Sequence, residues 1–142
     1  MARRSVPTAS DFLSAKLRAS TDIAEYVGTG ADARISLGKP IDPAYPYISY
    51  EKFAGESLVS HDGISGLGSP IYQIWVVDKE AEVVDNLSEL VRLAIQGFTG
   101  TAGGVNVSNV HKMPIEEDIF DEDSKAYVRR LLFRIWFEEA KI

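Results

Sequence analysis

The chain has no cysteine, which excludes disulfides and thiolate metal sites. Histidine is scarce too, with only His61 and His111. A zinc hydrolase needs two or three ligands in a constrained arrangement, and the pair His61–Asp62 in a glycine-rich stretch falls short of it. Gly55-x-Ser57 and Gly63-x-Ser65-Gly66 lack the Gly-x-Ser-x-Gly spacing and the following helix of a nucleophile elbow. Gly63-x-x-Gly66-x-Gly68 leads into a strand with no Lys behind it, so it is not a phosphate cradle. The expectation is therefore no enzyme and no cofactor. The apolar runs are too short to span a bilayer, and no membrane contact is expected. Basic charge is in deficit, with a formal net charge of -6. Phosphate neutralisation needs clustered Lys and Arg, which argues against a dedicated nucleic-acid binder but not against a surface that DNA passes. Met1–Pro7 has two arginines with no apolar stretch behind them. It does not read as a secretory signal, and residues 1–8 are expected to be a mobile arm. A cytosolic setting is the default expectation.

What is present suits one domain over residues 1–142, since 45% apolar and 25% charged residues are ordinary for a globular fold. The stretch Glu80–Phe98 organises the rest. Val83, Val84, Leu87, Leu90, Val91, Ala94, Ile95 and Phe98 recur at steps of three and four, one stripe of an α-helix, with Leu93 widening one edge. Gly97 and the glycines after it stop the helix. Such a stripe needs an apolar partner, and the strand Pro70–Val77 just before it is the obvious one.

Ser10 or Asp11 can cap an opening helix holding Phe12, Leu13 and Leu17. Thr21 or Asp22 opens a second turn through Ile23, Tyr26 and Val27, closed by Gly28; the two are one bent helix or two short ones. Ala33–Leu37 and Tyr47–Phe53 read as strands. Gly55–Ser69 reads as a long loop, a length that in a compact domain points to function or disorder. Thr99–Gly104 reads as a flexible turn and Val105–Val110 as a strand. Pro114 interrupts, Ile115–Lys125 reads as an acidic connection, and Ala126–Glu138 is the last strand. Helices gathered on one face of a mostly antiparallel sheet give a two-layer α+β fold.

Side chains of a strand alternate between faces. In the last strand Tyr127, Leu131, Phe133, Ile135 and Phe137 form the better core face. Ile48, Tyr50, Tyr72, Ile74 and Val76 are expected to join them. The outer face then holds Tyr47, Ser49, Gln73, Trp75, Arg130, Leu132, Arg134 and Trp136. An exposed patch of aromatics and arginines points to a protein–protein contact. The run Glu116, Glu117, Asp118, Asp121, Glu122 and Asp123 lacks the alternating ligands and central Gly of an EF-hand. It reads as solvated charge, with adjacent Arg129 and Arg130 able to pair with it.

The landmarks taken together, from Phe12 to Phe137, resemble the tail-completion or tail-terminator proteins of long-tailed, siphovirus-like phages, prophages and gene transfer agents. The opening helical stretch DFLSAKLRASTDIAEYVG leads to ARISLG and then to the proline-tyrosine entry AYPYISYEKF. After the glycine- and serine-rich stretch, IYQIWVVD passes directly into EAEVVDNLSELVRLAIQG, and the chain closes on YVRRLLFRIWFE. The resemblance implies a virion protein of the tail or neck, assembled in the host cytoplasm. It would form a homo-oligomeric ring, commonly a hexamer, that caps the tail tube protein and docks to a head connector or stopper. DNA would pass through without sequence recognition. On this reading Tyr47, Gln73, Trp75, Arg130, Leu132, Arg134 and Trp136 are expected at the subunit interface. Leu58, His61, Ile64 and Leu67 are expected to dock to the tube, and the six acidic residues above to line the lumen. The alternatives are another neck component, such as a head-completion or stopper protein, and, distantly, a small hydrolase built on His61 and Asp62.

Overall fold

The computed structural model describes residues 8–54, 57–60 and 63–138, and no side chain from 54 to 68 is described. The fold is α+β, with helices on one side of a mostly antiparallel sheet. Helix α1 spans Ala9–Ala19 and α2 spans Thr21–Val27. They are two helices because Ser20 ends one in extended backbone and caps the next, its Oγ accepting from the Ile23 N–H at 3.2 Å. The cap of α1 is Thr8, not Ser10 or Asp11. Asp11 sits three residues in, and its carboxylate accepts from the Thr8 backbone N–H at 2.7 Å, half of a capping box. A short 3-10 turn, Gly30–Asp32, then leads to the sheet.

The strands are β1 (Ile35–Leu37), β2 (Tyr47–Ala54), β3 (Ser57–Ser60), β4 (Gly63–Gly68), β5 (Ile71–Asp78), β6 (Gly100–Ala102), β7 (Val105–Asp121) and β8 (Ala126–Glu138). Helix α3 (Ala81–Ile95) lies between β5 and β6. Strands β1, β2, β5, β8, β4 and β3 follow in that order, and β7 pairs with both β8 and β6. Among the described residues only β1 with β2 is parallel, and every other pairing is antiparallel.

Three sequence expectations change. Gly55–Ser69 is not a plain loop, because β3 and β4 form a hairpin whose β4 end pairs with the end of β8. Backbone hydrogen bonds build such a ladder without apolar alternation, so Gly and Ser do not prevent it. Thr99–Gly104 is not only a turn, since β6 pairs with β7. Ile115–Lys125 is not a connection up to its hairpin turn, because β7 continues through it to Asp121. Pro114 falls where the register slips between Lys112 and Glu116, a bulge that needs no proline N–H.

The core lies between the helices and one sheet face. Phe12, Leu13 and Leu17 of α1, Ile23 and Val27 of α2, and Leu87, Val91 and Ile95 of α3 are fully buried. They meet Ile48, Tyr50, Tyr72, Ile74, Val76, Leu131, Phe133, Ile135 and Phe137 of the sheet, the inward set that alternation predicts. Two residues depart from it. Leu93 of α3 is 63% exposed, and Tyr127 is 41% exposed, its ring tilted against that of Phe120 across the β7–β8 ladder at 5.0 Å. The β6–β7 turn packs against the start of α1. A Cβ added at Gly103 (φ +60) would stand 2.3 Å from the Asp11 carbonyl oxygen, so only glycine fits.

Candidate functional site

The sheet face opposite the helices is built by register. Ser49 of β2 stands beside Trp75 of β5, which stands beside Arg130 of β8; Glu51 stands beside Gln73, and Gln73 beside Leu132. Tyr47 opposes Val77, which opposes Val128. Trp136 and Arg134 continue the same face along β8, paired across to Asn109 and His111 of β7. The expected outer-face residues thus share one face.

Their exposure is not uniform. Trp75, Gln73, Arg130, Arg134 and Trp136 are half-buried, whereas Tyr47 is 7% exposed and Leu132 4%. Leu132 is buried on the central strand β8, beside Gln73 of β5, so its side chain is not exposed on this face as expected. Tyr47 lies in a second, small apolar cluster with Val77 and Ala126, packed by Tyr45, Trp75 and Val128. Burial raises the Tyr47 hydroxyl above the ordinary tyrosine range, and nearby Tyr45 and Asp121 push it the same way.

A polar ladder crosses four strands of this face. Gln73 Nε2 donates to Glu51 Oε1. Arg130 Nε donates to Gln73 Oε1 at 2.9 Å, and Arg130 Nη1 donates to Glu117 on β7. The same guanidinium lies over Phe53 at 5.2 Å and over Trp75 at 5.8 Å, while Arg134 lies over Trp136 at 5.8 Å. Arginine stacked on aromatic faces is the recurring contact here, one that holds a cation without removing it from water.

The acidic run is largely folded into the sheet. Glu117 pairs with Arg130 on this face. Asp118 points to the other face, where Arg129 Nε donates to it at 2.7 Å and Arg129 Nη1 donates to Asp85 of α3 at 2.8 Å. The Asp118 and Asp85 carboxylates hold the Arg129 guanidinium above the ordinary arginine range. Asp121 accepts from the Ser124 hydroxyl at 2.9 Å and the Asp123 N–H at 3.1 Å, closing the β7–β8 turn. Those bonds lower its carboxyl below the ordinary range. Glu122 pairs with Lys125 at 3.5 Å. The run is therefore a strand end and a turn, not a free loop, with its charges split between two faces.

Of the expected tube-docking residues, His61 lies outside the described residues. Leu58 is in β3 and Ile64 and Leu67 are in β4, but their side chains lie outside the described ones too. His111 stands exposed on β7. Among the described residues no group of three His, Asp or Glu is placed to hold a metal ion, and no helix is long and apolar enough to cross a membrane.

One feature was not foreseen. A cavity of about 570 Å3 opens on this face, lined from β2, β5, the β7–β8 end and the connection before β2. Residues from strands two removed from each other line it together, so the face is concave at that end. Tyr45, Glu51 and Phe120 belong to it. Strand alternation places Glu51 on the outer face with Tyr47 and Ser49, but it does not reach Tyr45 and Phe120, since each needs the path of the chain outside the central strands.

The fold and this face define a class: an α+β domain with its sheet covered on one side and an aromatic, arginine-bearing concavity on the other. That fold is similar to a chain in the virion of a native gene transfer agent (GTA) particle, with a TM-score of 0.69 over 89% of this chain and 91% of that one. The two are 17% identical, so the likeness is one of fold. No protein-family model matches the chain, and no curated protein matches it.

Proposed function

We propose that this chain is a non-catalytic structural subunit of a phage-type or gene-transfer-agent particle, and within it a tail-terminator protein. Copies would form a ring, a hexamer by the resemblance, that caps the tail tube and joins it to the head connector or stopper. The observation that carries the reading is the fold likeness to a chain of a gene transfer agent virion across nearly the full length of both chains. The tail-terminator pattern of the sequence makes it more specific.

A closed ring needs a heterologous interface, with two different patches on each subunit. The half-buried aromatic face of Trp75, Arg130, Arg134 and Trp136 suits one of them. Interfaces of this kind favour aromatic and arginine residues over lysine and glutamate. The β3–β4 hairpin is the proposed contact to the tube, and the exposed part of the acidic run is the proposed lumen wall, where like charge lets DNA slide.

The test is electron microscopy of the purified chain mixed with the tail tube protein of the same particle. The expected result is a ring seated on the tube end. In cryo-microscopy of the whole particle, the chain bound to the portal side instead of the tube would reassign it to another neck component. A monomer that ignores the tube at every concentration would overturn the reading.

A further inference from the structure

The concavity on the outer face contains four aromatic rings and three carboxylates: Tyr45, Tyr47, Trp75 and Phe120, with Glu51, Asp121 and Glu122. Tyr45 and Tyr47 stack at 5.8 Å. Lys39 is the single basic residue in the lining, so the pocket's balance is acidic. Aromatic faces beside carboxylates make a receptor for a guanidinium, which is weakly hydrated, planar and a fork of donors. The protein already uses that chemistry on two of these rings, where Arg130 lies over Trp75 and Lys79 lies over Tyr45 at 4.9 Å.

The chain carries a fitting occupant on a tether. Arg3 and Arg4 precede the first described residue, Thr8, by four or five positions. Thr8 lies at the head of α1, where Ser10 bonds the Tyr72 hydroxyl at 2.9 Å on the helix face, near the start of β5. The pocket lies on the opposite face, running from Glu51, which stands opposite Gln73, past Trp75 to Val77 and the β7–β8 turn. Five strand residues separate Tyr72 from Val77 by about 17 Å, and the path must also round a sheet edge, one strand spacing of about 4.8 Å at a time. Four or five fully extended residues span at most about 18 Å.

We infer that Arg3 and Arg4 of one copy dock in the aromatic and acidic concavity of a second copy. The contact is heterologous, arm to pocket, and can repeat around a ring. It deepens the ring reading and depends on it only in requiring more than one copy.

The absence of native cysteine makes a clean test. Chains carrying Ser5→Cys are mixed with chains carrying Ser124→Cys, oxidised, and separated under denaturing conditions. The expected product is a mixed disulfide dimer. Its yield should fall about tenfold when Arg3→Glu and Arg4→Glu are added, and should recover when those chains meet a pocket carrying Glu51→Lys and Glu122→Lys. The arm precedes α1 and Glu122 sits in an exposed turn, so circular dichroism and the melting temperature of the arm variants should match the parent. No mixed dimer, a yield insensitive to charge reversal, or an intrachain disulfide in the double-cysteine chain would each overturn the inference. Rings seen by microscopy without the mixed dimer would sink the arm contact and leave the proposed function standing. The mixed dimer without rings would support the arm contact and count against the ring.

Discussion

Leu131, Phe133 and Ile135 alternate with Leu132, Arg134 and Trp136 along one strand, yet the two sets are held differently. The first set is sealed under α1 and α3. The second is half-buried apart from Leu132 and is held by cross-strand pairs, stacked cations and the Gln73–Arg130–Glu117 ladder. Burial under a helix is non-directional and worth about 25 cal/mol per Å2 of apolar surface. A cross-strand pair is worth only about 0.2–1 kcal/mol. The covered face should therefore carry the stability, leaving the bare face free to be spent on recognition.

Four substitutions test that division, from the largest expected effect to the smallest. Leu87→Asp places a charge under the middle of α3, where Leu87 is fully buried. It should cost more than about 4 kcal/mol and unfold the protein, and a normal melting curve would show that α3 does not cover this face. Gly103→Ala drives a methyl into the Asp11 carbonyl and should cost about 2–4 kcal/mol, read as a lowered urea midpoint. Trp136→Ala belongs to the other face. It should cost about 1–2 kcal/mol of folding stability while weakening self-association at least about tenfold. Equal loss of both would erase the distinction between the faces.

The smallest effect is electrostatic. The Asp121 carboxyl is held below the usual value of 3.8 by Ser124 and the Asp123 N–H. A lowered folded-state value stabilises above the ordinary aspartate range, and that contribution is lost as pH falls through the folded value. Asp121→Asn should therefore lower the melting temperature slightly at neutral pH and not at all in strong acid. A deficit that persists unchanged into acid would mean that the turn depends on shape, not charge.

The sequence made the two faces legible because every second residue of β8 from Leu131 to Phe137 is a large apolar one, and α3 was legible because its period survives fifteen residues. The pairing of Arg129 and Arg130 with the acids opposite was also readable from charge alone. Strand β7 was not. The register slips between Val107 and Asn109 and again between Lys112 and Glu116, so its apolar positions fall out of step and Pro114 looks like a stop. Its acidic half has little strand propensity and is held by arginines on the neighbouring strand. The β3–β4 hairpin gave no side-chain pattern to read. Alternation assigns Leu132 to the outer face but says nothing of its burial there, where it is 4% exposed. The concavity needed the whole topology, since its walls come from segments more than seventy residues apart.

The central claim is that the bare face exists to meet other copies. Native mass spectrometry of the parent chain and of Trp136→Ala, with folding of each checked by circular dichroism, tests it most directly. The account predicts a closed multimer for the parent and a folded monomer for the variant. A parent that stays monomeric at every concentration, or a variant that assembles as well as the parent, would contradict it.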